Sequence, residues 1–310
     1  MSNELHVVFG ASGGAGNALV HELAARGKRV RAVNRSGRAD VPAGVEIVKG
    51  DALDTVSVRA ACAGASVVYH CVNAPYPEWQ VKLTPLMNNL IEGAANANAK
   101  LIYADNLYAY GKSDAPLTEE TPYRATGPKG KLRAQLANAL LDAQRAGKVR
   151  AAIGRASDFY GRNANAIAGD LVIHPILAGK KAMWIGSFDM PHSLSFLPDF
   201  ARGLITLTER DEALGQVWHV PTAEPLTGRH YLQMLFEQAG LPPKFGVYSR
   251  TVMRLAALFN PMVREALEEL YQFESPFVVD GSKFARAFGF TPTPHREAIQ
   301  QTIAWYRNQA

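Results

Sequence analysis

Seven residues near the start of the chain, Gly10-Ala11-Ser12-Gly13-Gly14-Ala15-Gly16, combine glycines at every third position with one hydroxyl. Glycine reaches backbone angles that other residues avoid, and its missing side chain lets a pyrophosphate come up to the main chain. A helix that begins there aims its free N–H groups and the positive end of its dipole at such an anion. The apolar run Leu5-His6-Val7-Val8-Phe9 precedes the glycines and a helical pattern over 14–26 follows them. The segment therefore reads as a strand-to-helix turn, in which Gly10, Ser12, Gly13, Gly14 and Gly16 hold the phosphates of a dinucleotide.

A second group refines that ligand. Asn34-Arg35-Ser36 ends the next strand, where an NAD site would place Asp or Glu on the ribose hydroxyls. An arginine fork and a hydroxyl suit a 2′-phosphate instead. Arg35 belongs to a cluster with Arg26, Lys28, Arg29, Arg31 and Arg38, six of the chain's 33 basic residues. NADP(H) is accordingly expected over NAD(H). Elsewhere the charges are mixed, the net charge is only +5, and no basic stripe is interleaved with aromatics, so no nucleic-acid partner is expected. The eight histidines show no HExxH or similar spacing, and no metal is expected.

Strands at 5–9, 30–33, 45–49, 67–71, 101–104 and 149–155 alternate with helical stretches at 14–26, from 55, at 83–97 and around Leu132, Leu136 and Leu140. That alternation implies right-handed crossovers and a parallel sheet. The fold class is α/β: a Rossmann-type doubly wound parallel sheet with a smaller C-terminal α/β domain covering the substrate. The expected division is 1–165, with 197–220 returning to it, and 166–196 plus 221–310. Helices are expected near 228–239, 251–259 and 264–272, and a last one with Thr293 as N-cap and Pro294 in its first turn. Length fits this plan, since 310 residues exceed one average domain. Two cysteines without a CxxC spacing fit a reducing compartment, and no apolar run approaches the ~18 residues of a membrane span. With no leader-like segment before Leu5, a soluble cytoplasmic protein without a membrane partner is expected.

With these elements placed, the chain resembles the extended branch of the short-chain dehydrogenase/reductase family, which includes nucleotide-sugar epimerases and dehydratases. The likeness rests on the glycine motif, on Asp51-Ala52 after the third strand and on Leu107-Tyr108-Ala109-Tyr110-Gly111. It continues through Asp158-Phe159-Tyr160-Gly161, Phe196-Leu197-Pro198-Asp199 and Phe288-Gly289-Phe290-Thr291-Pro292. It implies adenine contact by Asp51 and Ala52, and Cys71 and Asn73 after the fourth strand complete the expected cofactor contacts.

The resemblance also exposes a departure. The family's Tyr-x-x-x-Lys pair aligns with Lys129 and Arg133, and its Ser/Thr position with Asn106. Arg133 keeps its proton and donates to ribose hydroxyls. Lys129 is expected as proton donor if burial and neighbouring cations lower its pKa, with Asn106 as oxyanion donor. Tyr108 is an alternative acid, and Tyr76, Tyr123 and Tyr160 also fall at the carboxyl ends of strands. His192 stands where the family has an arginine facing substrate, which argues against a pyrophosphate-bearing substrate and places Tyr76, Tyr160 and His192 around a smaller one.

Three readings follow. The first is an NADP(H)-dependent oxidoreductase of a small carbonyl or enone with an atypical donor set. The second is a non-catalytic NADP(H) sensor, and the third a sugar epimerase or dehydratase. A homodimer through alanine-rich helices (Ala94, Ala95, Ala97, Ala99; Ala134, Ala137, Ala139, Ala143) is possible on this fold.

Overall fold

Alternating apolar strands and helices produce one sheet of seven parallel strands in the computed structural model, which describes residues 4–164 and 169–309. Six strands come from the first half: β1 (Leu5–Phe9), β2 (Arg29–Asn34), β3 (Glu46–Lys49), β4 (Val67–His70), β5 (Lys100–Asp105) and β6 (Arg150–Arg155). The seventh, Val217–His219, pairs with β6. The spatial order is Val217–His219, β6, β5, β4, β1, β2, β3. Every residue of β1 and β4 is buried, as expected of strands covered on both faces.

Helices α1 (Gly14–Ala25) and Leu197–Glu209 pack over one face, burying Leu19, Leu23, Leu204 and Leu207. Helices α2 (Thr55–Cys62), α3 (Trp79–Asn96) and α4 (Pro128–Arg145) cover the other with Val58, Leu86, Leu90, Leu136 and Leu140. The strand order reverses between β1 and β4, and that switch point opens a crevice at their carboxyl ends. Helix α3 begins at Trp79, four residues before the expected Leu83. Burial of the Trp79 indole, whose Nε1 donates to the Ala74 carbonyl at 2.7 Å, fixes this earlier start.

Among the described residues, the second half forms three two-stranded sheets: Asp158–Tyr160 with Leu194–Phe196, Pro191–His192 with Leu226–Thr227, and Ala182–Ile185 with Phe245–Tyr248. The expected 264–272 helix is instead a short helix, Pro261–Ala266, that tightens into a 3₁₀ segment, Leu267–Phe273. The last helix runs over His295–Arg307 with Pro294 at the N-cap. Thr293 is not its cap, because its N–H and hydroxyl both donate to the buried Asp199 carboxylate at 2.7 Å. The expected boundary at 165–166 lies outside the described residues. No helix among the described residues is long and apolar enough to cross a membrane.

Candidate active site

The crevice at the β1/β4 switch point deepens into a cavity of about 570 Å³. At one end the three glycines divide the work. Gly10 sits at φ +83°, and a Cβ there would lie 2.5 Å from the Cys71 carbonyl oxygen. A Cβ on Gly16 would lie 2.2 Å from the Gly10 carbonyl oxygen. Those two are demanded by the protein's own packing. Gly13 is not: it adopts φ −81° and ψ 162°, and an added Cβ meets only the Gly10 oxygen, at an ordinary 3.5 Å. Gly13 is the N-cap of α1, no side chain caps that helix, and its first turn carries no acid. The open N–H groups and the bare wall fit a pyrophosphate.

Gly10, Ser12, Gly13 and Gly14 line the cavity, as do Asn34, Arg35, Asp51, Ala52, Cys71 and Asn73. Gly16 lies behind the turn. Asn34 organises the loop after β2: its Oδ1 accepts from Gly37 N at 2.8 Å and Ser36 Oγ at 2.9 Å, while its Nδ2 donates to the Arg38 carbonyl. Ser36 is therefore held within the loop and is not part of the cavity wall, whereas Arg35 is exposed and borders it.

Arg133 is buried at the middle of the cavity wall. One terminal nitrogen donates to Tyr103 Oη at 2.5 Å and lies 3.4 Å from Asp105 Oδ1; the other terminal nitrogen donates to Asn73 Oδ1 at 3.2 Å. Its guanidinium stacks on Trp79 at 4.3 Å. Asp105 is bonded more closely by the fully buried Arg155, Nε to Oδ2 at 2.9 Å. Two guanidiniums thus share one carboxylate, and Arg133 Nε has no hydrogen-bond partner among the described residues. A buried donor left over on a cavity wall calls for a ligand oxygen.

Lys129 departs from its expected role. Its ammonium is bonded by Glu265 Oε2 and, at 2.9 Å, by Glu268 Oε2, and Glu268 Oε1 also accepts from the Lys129 N–H. Burial alone would lower its pKa, but the two carboxylates outweigh burial and raise it. Lys129 is also absent from the cavity lining. The Pro261–Phe273 segment turns the ammonium aside, so the expected lowered pKa is corrected.

Asn106 lines the cavity and uses Oδ1 to accept from Tyr108 N at 3.2 Å, which leaves its NH₂ as the free end. Tyr108 and Tyr76 pair their hydroxyls at 2.8 Å. Burial raises both pKa values, with the neighbouring Asp158 and Glu269 carboxylates adding to the rise. Tyr160 borders the cavity, but its hydroxyl bonds His295 Nδ1 at 3.0 Å. Tyr123 lies away from the wall and bonds Arg155. His192 is one layer behind the lining, its Nε2 2.8 Å from Asp158 Oδ2.

The far end is built by residues that no local motif announced: Trp184, Leu194, Tyr231, Gln272, Phe273 and Phe277. Asp158 belonged to a recognisable segment, yet its contact with His192 crosses 34 positions. Glu269, bonded by Gln272 Nε2 at 2.8 Å, has its pKa pushed up to about 7 by burial and by Glu268.

A glycine-opened crevice at the switch point of a parallel sheet, roofed by the second half of the chain, defines an NAD(P)-binding Rossmann-type protein. The profile of the NAD dependent epimerase/dehydratase family matches residues 6–220, and the chain belongs to that family. Among curated relatives it is 24% identical to "Sterol demethylase protein B" of Methylococcus capsulatus (strain ATCC 33009 / NCIMB 11132 / Bath), covering 98% of each chain. Among solved structures it is similar to the UDP-N-acetylglucosamine 4-epimerase of Methanobrevibacter ruminantium M1, with TM-score 0.81, 16% identity and 100% of each chain covered. It is also similar to the UDP-glucose 4-epimerase of Thermus thermophilus, solved with NAD, at TM-score 0.78, 18% identity, and 99% and 100% coverage. At these identities the structural likeness is one of fold.

Proposed function

We propose that the protein is an NADP(H)-dependent oxidoreductase acting on a small carbonyl or enone that carries no phosphate. The observation that carries this reading is the continuity of one cavity from the uncapped glycine turn, past the surplus guanidinium of Arg133, to an aromatic end. A nicotinamide dinucleotide, when bound, supplies or takes up a hydride. The Gly10–Gly16 turn and Arg35 bind its adenosine and phosphates, and Arg133, held by Tyr103, Asp105 and Asn73, donates to ribose oxygens near the middle. Asn106 presents its NH₂ to developing oxyanion charge.

The far end argues for an uncharged substrate. Trp184, Leu194, Tyr231, Phe273 and Phe277 favour apolar contact, and the charge that faces them among the described lining residues is the carboxyl group of Asp158. Lys82 also borders the cavity, but Glu78 pairs with it at 2.6 Å. A diphosphate would meet apolar side chains and the Asp158 carboxyl group there, Arg133 being engaged by the cofactor ribose in this reading. The epimerase neighbours are solved in complex with NAD or with UDP-N-acetylmuramic acid, so the sugar-nucleotide reading is the competing outcome. A panel of ketones, enones and nucleotide sugars, each followed by oxidation of NADPH, tests the proposal. Turnover of a neutral carbonyl supports it, and turnover of nucleotide sugars alone overturns it.

A further inference from the structure

Reduction of a carbonyl requires a proton as well as a hydride, and the expected donors are committed elsewhere. Lys129 is bound by Glu265 and Glu268. Tyr108 is paired to Tyr76 where burial holds the phenolic proton tightly. Another source lies beside them.

The His192 ring is boxed by aromatics: Phe273 stacked at 4.8 Å and 13°, Phe277 at 5.3 Å, and Trp184 edge-on at 6.4 Å. Among the described residues, two polar atoms reach its nitrogens. The Gln272 carbonyl oxygen is 3.1 Å from Nδ1, and Asp158 Oδ2 is 2.8 Å from Nε2. A carbonyl oxygen only accepts, so Nδ1 carries a proton and donates it. A neutral ring has one N–H, which would leave the Nε2 lone pair facing a carboxylate lone pair at 2.8 Å. That contact becomes a hydrogen bond only when a further proton lies between Nε2 and Oδ2. The surrounding aromatic faces are compatible with the resulting positive ring.

We propose that Asp158 and His192 share this proton and that Asp158 delivers it to the substrate oxygen. The proposal rests on reading the cavity as a reductase site. Asp158 lines the cavity with its side chain 29% exposed, whereas His192 is 2% exposed, so the carboxyl group is the member that meets substrate. Asp158 is then the catalytic residue, and His192 is a positioning residue acting through it. As the carbonyl carbon gains a hydrogen and two electrons from the reduced dinucleotide, the C–O π pair becomes an O–H bond to the shared proton. The proton leaves by way of the Asp158 carboxyl, the pair is left as neutral imidazole and carboxylate, and a proton from water restores it. Oxidation of an alcohol runs the same transfer backward.

Nitrogen-15 magnetic resonance of the histidine-labelled, ligand-free protein tests the pair without any turnover. At neutral pH the wild type should show both His192 nitrogens protonated, and Asp158→Asn should convert Nε2 to an unprotonated nitrogen. A wild-type ring with one protonated nitrogen, unaltered by Asp158→Asn, overturns the proposal. In turnover, Asp158→Asn should lower kcat by about 10²–10⁴-fold while dinucleotide affinity stays within about twofold. A kcat retained within about threefold also overturns it. Should the wild type bind no dinucleotide, the reductase reading fails by itself, and the nitrogen spectrum still decides whether the shared proton exists.

Discussion

Gly13→Ala separates what the glycine turn does for the protein from what it does for a ligand. The backbone at Gly13, φ −81° and ψ 162°, is open to alanine, and the new methyl meets only the Gly10 oxygen at 3.5 Å. Folding stability should therefore stay within about 0.5 kcal/mol, or rise slightly as the unfolded chain loses freedom. Against a pyrophosphate the same methyl occupies the space through which the backbone is approached. Losing one charge-assisted N–H contact costs about 1.5–3 kcal/mol, or roughly 10–150-fold in affinity. Gly16→Ala is the contrasting variant, because its Cβ would stand 2.2 Å from the Gly10 oxygen and should destabilise the fold itself. Urea unfolding and calorimetric titration with NADPH, run on both variants, check the pair of outcomes. A Gly13→Ala protein that is destabilised yet binds NADPH normally would refute the division of roles.

Three further outcomes follow from named contacts. Glu269 keeps its proton to about pH 7 when folded against an ordinary 4.5, so the folded chain holds the extra proton in that window and stability falls as pH rises through it. Glu269→Gln should thus gain about 2–3 kcal/mol at pH 8 and little near pH 4.5; an equal gain at both values in denaturant unfolding contradicts this. Lys129→Met leaves Glu265 and Glu268 without their shared cation and should lose about 1–3 kcal/mol of stability, since one of those carboxylates is partly solvated. Its kcat should fall less than about tenfold, and a loss in the general-acid range, about 10²-fold or more, would restore Lys129 as the acid. Arg35→Leu should weaken NADPH binding by about tenfold through loss of a charge-assisted contact, with NADH unchanged; equal weakening of both would remove Arg35 from any 2′-phosphate site.

The sheet and the glycine turn between β1 and α1 are legible in the sequence because both are local. Alternation of short apolar runs with helical periodicity needs no distant partner, and Gly10 and Gly16, where a Cβ would run into backbone, stand within one seven-residue motif. The far end of the cavity is opaque for the opposite reason. The expectation of a lowered Lys129 pKa fails because its partners Glu265 and Glu268 lie 136 and 139 positions later in the sequence and meet it only in the fold. Thr293 looked like a helix cap, but the Asp199 carboxylate, 94 positions earlier, is the stronger acceptor for its hydroxyl. His192 and Asp158 each stand in a recognisable segment, yet their shared contact depends on the short strand pairs of the second half, which carry too little periodicity to be read from sequence.

A crystal structure of the protein grown with NADPH measures the central claim directly. Dinucleotide phosphates should lie within hydrogen-bond reach of the backbone N–H groups opening α1, with a ribose oxygen on Arg133 Nε and the 2′-phosphate beside Arg35. Density for NADPH outside this cavity, or a ribose that leaves Arg133 Nε without an oxygen partner, would contradict it.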